Sequence, residues 1–185
     1  MHTNIILIGF MGTGKTAVGK RLATVLQKEF YDTDLEVEKV TGMTISQLFH
    51  KYGEVRFRSE EDLALRRLLQ KNNCVLATGG GIVLKPNNIA FLKEKGIIIC
   101  LTARPEIIFE RVKKRNNRPL LNRKKRYETI TQLMNEREAL YKCADFYLDT
   151  SDLDFSEITE KIIDFLSTKS KLFIGRNFPK KEEYS

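Results

Sequence analysis

The sequence predicts an α/β fold in which a parallel sheet of five strands is covered by helices on both faces. First, five short apolar runs of strand character alternate with segments whose apolar residues recur at helical spacing. Second, most of these runs are continuously apolar, as is typical of strands buried on both faces. Third, glycines or carboxylates stand where four of the runs end, and ligands bind at the carboxyl ends of strands in such sheets.

The predicted elements follow one another in a regular order. Strands are predicted at NIILIG, FYDTD, NCVLATGGG, GIIICLTA and ADFYLDT. Helices are predicted after Gly14, at about 35–39, 44–51 and 53–71, from Pro105, at about 127–143 and at 156–167. Thr44 and Gln47 have the spacing of a capping box, and Pro105 suits the first turn of a helix. We expect one domain over residues 1–168 and a separable C-terminal tail at 169–185.

Composition excludes several classes of protein. The 185 residues are 42% hydrophobic and 30% charged, as in soluble globular proteins. No apolar run approaches the roughly 20 residues that span a membrane, and the first residues do not resemble a secretory signal, so we expect a cytoplasmic protein. Three widely separated cysteines and two histidines favour neither a disulfide framework nor a zinc site. Any metal is therefore expected to be bound by oxygen ligands.

The positive charge is concentrated in one segment. The net charge is +8, yet nine basic and no acidic residues lie between Arg111 and Arg126, which leaves the rest of the chain at −1. This segment contains a proline and has no sustained periodicity, so we predict a long mobile loop between helices. Such a patch fits a protein that binds nucleic acid, and it equally fits a lid, here at about 112–126, that closes over phosphates.

The most specific motif lies between the first strand and the first helix. Gly9, Gly14, Lys15 and Thr16 match the pattern G-x-x-x-x-G-K-[ST]. The backbone N–H groups of residues 12–15 would surround a phosphate at the positive end of the helix dipole. Lys15 would reach the β- and γ-phosphates, and the Thr16 hydroxyl would bind Mg²⁺. A glycine turn with a solvated lysine is the alternative, but the motif in this context favours a nucleoside triphosphate.

Two carboxylates, Asp32 and Asp34, end the second predicted strand. Because they alternate, a strand end would point them to opposite faces. One would then bind Mg²⁺, directly or through water, while the other would orient or deprotonate a hydroxyl of a second substrate. Alternatively, Asp34 would only cap a helix that begins at Leu35. The sequence leaves both interpretations open.

Glycines and arginines further along are weaker candidates. Gly79, Gly80 and Gly81 would form a floor that offers N–H groups to a ligand oxygen, or only a turn. Arg58 lies four residues from both Glu54 and Asp62, so a surface ion-pair ladder is the simpler interpretation.

Arg137 and Arg118 are similarly ambiguous. Arg137 has the same two interpretations as Arg58. Arg118 would be a solvated charge, or the arginine that neutralises a transferring phosphoryl group when the lid closes.

Two classes of nucleotide-binding protein are disfavoured. No aspartate is followed three residues later by glycine and no N-K-x-D segment is present, so the chain does not have the motifs of a GTPase. A nucleic-acid motor would need more chain and a second ATPase segment. A small-molecule kinase remains as the interpretation.

The ordered set of motifs resembles the shikimate kinase family. These motifs are GFMGTGKT, DTD, the pair Phe57 and Arg58, ATGGG, NRPLL and EREALY, and the likeness extends from about Asn4 to Ser167. This family has a P-loop kinase fold similar to the nucleoside monophosphate kinases. The resemblance implies a three-layer structure with a central five-stranded parallel sheet, substrate-binding helices at about 33–61 and a mobile lid.

The resemblance also implies a reaction, in which ATP and shikimate give ADP and shikimate 3-phosphate on the pathway to chorismate and the aromatic amino acids. Asp34 would bind the ring hydroxyls and act as the base, with Lys15 and Arg118 stabilising the phosphoryl group. Shikimate would be bound by Asp34, Arg58, Gly79, Gly80, Gly81 and Arg137, with Glu61 in support. ATP would be bound by Gly12, Thr13, Gly14, Lys15, Thr16, Ala17, Arg111 and Arg118. Thr16 and Asp32 would bind Mg²⁺.

The chain departs from the family pattern after LDT, where the family often has a proline near the adenine and this chain has SDLDF. The resemblance implies a monomer that binds neither nucleic acid nor membrane. Two alternatives stay open. A kinase of the same fold acting on another small polyol or nucleotide would require Arg58 and Arg137 to be structural. A nucleotide-switched protein would bind nucleic acid through the basic segment.

Overall fold

The computed structural model describes residues 4–113 and 126–173, and in these ranges five parallel strands form one sheet in the order β2-β3-β1-β4-β5. The strands are β1 (Asn4–Ile8), β2 (Glu29–Asp32), β3 (Cys74–Ala77), β4 (Gly96–Thr102) and β5 (Phe146–Asp149). The helices are α1 (Lys15–Val25), α2 (Thr33–Thr41), α3 (Ile45–Leu68), α4 (Pro86–Lys95), α5 (Pro105–Val112), α6 (Arg126–Tyr141) and α7 (Phe155–Phe173). A 3₁₀ turn spans Ile82–Leu84. Most of the predicted lid and tail lies outside the described residues.

The three-layer α/β prediction is confirmed, and β1 shows how it arises. Successive side chains of a strand point to opposite faces. Ile5 and Leu7 pack with α1 and α7 on one face, whereas Ile6 and Ile8 pack with α3, α4 and α6 on the other. Because both faces are covered, every residue of β1 is buried. This burial explains the uninterrupted apolar run in the sequence.

The strand order divides the ligand-binding edge into two sides. β1 is central and pairs with β3 on one side and β4 on the other. β2 and its following helix therefore lie on the β3 side, and β5 lies on the β4 side. The loop after β1 stands between these two sides.

The prediction that Asp32 and Asp34 both end a strand is wrong. β2 ends at Asp32 and α2 begins at Thr33, so Asp34 lies in the first turn of a helix. The cap of this helix is Asp32, whose Oδ1 accepts hydrogen bonds from the N–H groups of Asp34 at 2.9 Å and Leu35 at 3.4 Å. A carboxylate that binds these N–H groups stabilises the helix start, and the strand ends there.

The helical segments between β2 and β4 agree with the predictions in part. The span α3 is interrupted at Gly53, where φ is 76° and ψ is −178°, values that are not helical, so the predicted break between helices at 44–51 and 53–71 is confirmed. The predicted capping box at Thr44 and Gln47 is confirmed. α4 was not predicted, although Pro86 at its first turn and Gly96 after its last residue are the signals that delimit it.

The last helix continues beyond its predicted end at 167 as far as Phe173. Near its end the Lys169 ammonium donates to Oδ1 of Asp145 at 2.6 Å. Oδ2 of Asp145 accepts from the N–H of Ile98, in the buried part of β4, at 2.8 Å. Asp145 thus joins the sheet to α7. Within the described ranges, no helix combines the length and apolarity that crossing a membrane requires.

Replacing Asp145 with alanine is expected to lower the free energy of unfolding by about 2 kcal/mol, because it leaves the Ile98 N–H group without its acceptor. Lys169→Met removes only a partly exposed ion pair and should cost less than about 1 kcal/mol. Urea unfolding of both variants measures the difference. Equal losses would contradict the importance given to the Ile98 hydrogen bond.

Candidate active site

The glycine-rich loop after β1 has the geometry of an anion-binding site. Gly14 is the N-cap residue of α1, with φ 97° and ψ 6°, a left-handed conformation that glycine adopts without strain. Gly14 has no side chain that could cap this helix. The first turn of α1 therefore presents its N–H groups at the positive end of the dipole, where the motif predicts a phosphate.

Lys15 lies at the start of α1, and its ammonium group bends back over the loop. It donates to the carbonyl oxygens of Gly9 at 2.7 Å and Phe10 at 2.8 Å. The side chain is buried. These hydrogen bonds hold the positive charge beside the N–H groups that would bind phosphates.

Thr16 and Asp32 form an oxygen pair suited to Mg²⁺. The Thr16 hydroxyl donates to Oδ2 of Asp32 at 2.8 Å, and the Asp32 side chain is largely buried. The described residues contain no cluster of three or more His, Cys, Asp or Glu side chains that could hold a metal. Mg²⁺ commonly takes one or two protein oxygens and completes its six ligands with water and substrate phosphates. The donor atoms present fit that arrangement.

On the β3 side, two carboxylates converge over the first residue of the glycine turn. A Cβ atom on Gly79 would collide with Oε1 of Glu61 and would lie 2.8 Å from Oδ1 of Asp34. Glu61 is only 3% exposed, and Oε1 has no hydrogen-bond partner among the described residues. Burial raises the pKa of Glu61, the nearby charge of Asp34 raises it further, and Arg58 lowers it. The floor is glycine because the carboxylates occupy the space of a side chain.

Arg58 is held against this floor, and the surface ion-pair ladder is only half present. Its guanidinium donates to Oε2 of Glu61 at 2.7 Å and to Oε1 of Glu54 at 3.1 and 3.2 Å. The predicted contact with Asp62 is wrong, since Asp62 bonds to Arg66. The Arg58 side chain is only 15% exposed, and a Cβ on Gly81 would collide with it. Burial opposes the charged form, but Glu61 and Glu54 raise the Arg58 pKa overall.

Arg137 approaches the same region from α6 and is buried. Its Nη1 lies 3.5 Å from the carbonyl oxygen of Gly80, and its guanidinium lies 5.7 Å from the ring centre of Phe10. Like Arg58, Arg137 lowers the pKa of Glu61. Arg137, which is buried, and Arg58, which is largely buried, therefore approach the glycine floor from different helices.

The β4 side of the loop carries a second group of contacts. Arg111 donates to the carbonyl oxygen of Thr150 at 2.7 Å and to its hydroxyl at 3.0 Å, and Nη1 lies 3.4 Å from the Gly12 carbonyl. These bonds hold the guanidinium against the glycine loop, and burial lowers the Arg111 pKa. Nearby, Phe155 is 53% exposed, with its ring 3.9 Å from the position of a Cβ on Gly14. An exposed aromatic ring here is suited to stacking on a ligand.

Sequence reasoning did not identify two threonines that build the site. Thr33 is buried, and its hydroxyl accepts from the Gly79 N–H at 2.7 Å. That N–H group is therefore already bonded, contrary to the expectation that all three glycines offer theirs to a ligand. Thr150 holds Arg111, and only its place at the end of the LDT strand indicated a role. Tyr141, which donates to the Gly80 carbonyl at 2.7 Å, belongs to the EREALY motif but was not singled out.

The structure brings most of the predicted site residues together around the glycine loop. Lys15, Thr16 and Asp32 lie at its centre, and Asp34, Arg58, Gly79–Gly81 and Arg137 lie on the β3 side. Arg111 lies on the β4 side, near Gly12. Arg118 lies outside the described residues.

Comparison with known proteins gives a consistent assignment. The family model for shikimate kinase matches residues 11–167. The chain is 55% identical to the shikimate kinase of Pelotomaculum thermopropionicum over 88% of this chain and 95% of that protein. It is 48% identical to the shikimate kinase of Thermoanaerobacter pseudethanolicus over 86% of this chain and 94% of that protein.

Solved structures agree. Shikimate kinase from Acinetobacter baumannii, solved in complex with shikimate, superposes with a TM-score of 0.87 at 38% identity, covering 90% of this chain and 94% of that one. The enzyme from Aquifex aeolicus gives a TM-score of 0.78 at 36% identity, covering 94% and 100%. The resemblance inferred from the motifs is thereby confirmed. The chain belongs to the shikimate kinase family.

Proposed function

We propose that the chain transfers the γ-phosphoryl group of ATP to a hydroxyl group of shikimate, giving ADP and shikimate 3-phosphate. The observation that carries this proposal is the convergence of Arg58 and Arg137 on the glycine floor: Arg58 packs against Gly81 and bonds to the buried Glu61, and Arg137 donates to the Gly80 carbonyl. Planar guanidinium groups bind carboxylates bidentately, so two largely buried arginines at an acceptor site favour an acceptor that carries a carboxylate. Shikimate has one carboxylate and three ring hydroxyls.

Glu54 and Glu61 have different roles toward Arg58. Glu54 is half exposed, so its ion pair with Arg58 contributes little, and an incoming carboxylate can replace it at small cost. Glu61 is buried and keeps the guanidinium oriented. In this proposal the substrate carboxylate takes the place of Glu54, while Glu61 remains bound to Arg58.

Asp34 is the proposed base. It lies over Gly79 on the β3 side, where the phosphate acceptor would bind and which is called the acceptor side below. Its own N–H is bonded to Asp32, which contacts Thr16 of the phosphate loop. Asp34 would orient the attacking hydroxyl and accept its proton as the bond to phosphorus forms. Lys15 would stabilise the transferring group, as would Arg118, and Gly12, Thr13, Gly14, Thr16 and Ala17 would bind the phosphates. Mg²⁺ held by Thr16 and Asp32 would neutralise charge on the β- and γ-phosphates.

We infer from the direction of transfer that the adenine binds on the β4 side. The attacking and leaving oxygens lie in line, so the γ-phosphate must face the acceptor side, where Asp34 and Gly79 are. The ribose and base then extend the opposite way, toward the ends of β4 and β5. Arg111, held by Thr150, and the exposed ring of Phe155 lie there. We infer that these two side chains contact the adenine and that Phe155 serves where the family often has a proline.

The proposal also covers the domain organisation of the chain, its location and its partners. Residues 1–168 act as one domain, with substrate-binding helices at about 33–61, a lid at about 112–126 and a tail from 169 whose first residues continue α7 as far as Phe173. The protein works as a cytoplasmic monomer without nucleic-acid or membrane partners. In support, the excess positive charge is confined to the lid segment, which faces the phosphates of ATP in this proposal.

Replacing Arg58 with lysine is expected to raise the KM for shikimate at least tenfold, because an ammonium group cannot form the bidentate bond to a carboxylate. The KM for ATP should change less than about twofold, since Arg58 lies on the acceptor side alone. Steady-state kinetics with each substrate varied in turn measure both values.

Arg66→Lys is the matched control, because Arg66 lies on the same helix away from the glycine floor, bonding to Asp62 and lying 4.7 Å from the ring centre of Phe91. It should leave both KM values unchanged. An unaltered KM for shikimate in Arg58→Lys would contradict the carboxylate role.

Replacing Phe155 tests the adenine contact. The chain contains no tryptophan, so Phe155→Trp creates a single fluorescent reporter. We expect Mg-ADP to quench its emission through stacking, and we expect Phe155→Ala to raise the KM for ATP about five- to tenfold without changing the KM for shikimate.

Tyr147→Trp is the control, because Tyr147 is 47% exposed and lies within β5 rather than after it. It should show no nucleotide-dependent change. Fluorescence of Phe155→Trp that is indifferent to saturating Mg-ADP would exclude the contact.

A further inference from the structure

A cavity lies behind the glycine loop. It has a volume of about 420 Å³, within the range of small-molecule sites. The end of β4 and Tyr147 of β5 form one wall, and α5 and α6 form the other. Of the assigned kinase residues that the structure describes, only Thr13 borders it. The cavity is therefore distinct from the acceptor and nucleotide sites.

The inner walls carry no charge at neutral pH and offer little hydrogen bonding. Phe10, Ile108 and Met134 supply apolar surface. Burial raises the pKa of Cys100 to about 12, and it also raises the pKa of Tyr141 above its ordinary value, so both groups stay neutral.

The hydroxyl hydrogens of three wall residues are already used. The Tyr141 hydroxyl donates to the Gly80 carbonyl at 2.7 Å, and the Tyr147 hydroxyl donates to the Tyr141 carbonyl at 3.2 Å. The Thr13 hydroxyl donates to the Phe10 carbonyl at 2.8 Å. The part of a ligand that enters this cavity must therefore be apolar and uncharged.

The mouth of the cavity differs from its interior, because it carries one charge of each sign. Glu138 and Lys142 both line the cavity and both are exposed; Glu138 lies on α6, and Lys142 directly follows the last residue of that helix. A glutamate and a lysine four residues apart can pair when a helix continues through both, whereas here the helix ends at Tyr141. Across the part of the chain that the structure describes, neither side chain has a hydrogen-bond or ion-pair partner. An anionic and a cationic group are thus both available at the entrance.

We propose that this cavity is a second binding site, for a small zwitterion that carries an apolar side chain, such as an aromatic amino acid. The apolar side chain enters the cavity, the ammonium group faces Glu138, and the carboxylate faces Lys142. A ligand with one charge would leave one entrance group unmatched, and a ligand without an apolar side chain would leave the cavity unfilled. Charge complementarity at the mouth and neutrality inside together select this class.

Calorimetric titration of the full chain with L-phenylalanine tests the proposal without reference to kinase activity. We expect saturable binding with a Kd of about 1 mM or tighter, given the size of the ligand. Three comparison compounds each lack one element: 3-phenylpropionate the ammonium group, 2-phenylethylamine the carboxylate, and L-serine the apolar side chain. Each should bind at least threefold more weakly.

Variants of residues that line the cavity test whether L-phenylalanine binds there. Met134→Trp fills the cavity and should abolish binding, whereas Asn135→Trp, at an exposed neighbouring position on α6, should not. Glu138→Gln and Lys142→Gln should each weaken binding about two- to fivefold. Their control is Glu136→Gln, which lies on the same helix outside the cavity lining.

Two results would overturn the proposal, and failure of one variant to fold does not prevent the test. If Met134→Trp does not fold, the exposed charge variants decide the matter, because removing an exposed charge leaves the core intact. Absence of saturable binding by L-phenylalanine would overturn the proposal. Binding that Met134→Trp, Glu138→Gln and Lys142→Gln all leave unchanged would overturn it equally.

Discussion

The carboxylate of Asp32 joins the two halves of the site. One of its oxygens accepts from the Thr16 hydroxyl at 2.8 Å, and the other caps α2 through the N–H of Asp34 at 2.9 Å. The helix that binds phosphates and the helix that carries the proposed base are thereby fixed to one side chain. Phosphoryl transfer requires the attacking hydroxyl and the γ-phosphate to be held in line, and a small misplacement costs much of the rate. In this structure that alignment depends on the end of a four-residue strand.

The acceptor side is built from charges that would be costly to bury singly. Glu61, Asp34, Arg58 and Arg137 lie together over glycine, and burial raises the pKa of Glu61 against the opposing effect of Arg58. Breaking a buried ion pair leaves an uncompensated charge, so each of these groups depends on the others. Arg58 is consequently in position before any substrate arrives, and little further ordering is needed when a carboxylate binds.

Much of this arrangement could be predicted from the sequence, and the predictions that were wrong have identifiable physical causes. The apolar runs predict the five strands because both faces of the sheet are covered, and the Gly9–Thr16 motif predicts the phosphate loop because its backbone must surround an anion. The placement of Asp34 failed because alternation in DTD indicates a strand, whereas Asp32 caps a helix one residue later. The role of Asp32 as cap shows only in the hydrogen bonds.

Contacts between distant segments could not be predicted in the same way. Glu61 rather than Asp62 faces Arg58. Consecutive residues on a helix point in different directions, so the sequence spacing alone does not decide which of the two carboxylates meets Arg58. Thr33, Thr150 and Tyr141 support glycine backbone or an arginine far away in sequence, and no local pattern reveals such contacts. Asp145 ties α7 to β4 through a similar long-range bond, so the length of the last helix exceeds what its own periodicity predicts.

Phosphorylation of shikimate by the residues gathered around the glycine loop is tested by coupled detection of ADP release with Mg-ATP, comparing shikimate with gluconate, with nucleoside monophosphates and with no acceptor. Rapid turnover is expected with shikimate alone. Release of ADP with another acceptor but not with shikimate would contradict it, and the roles given to Asp34, Arg58 and Arg137 would fall with it.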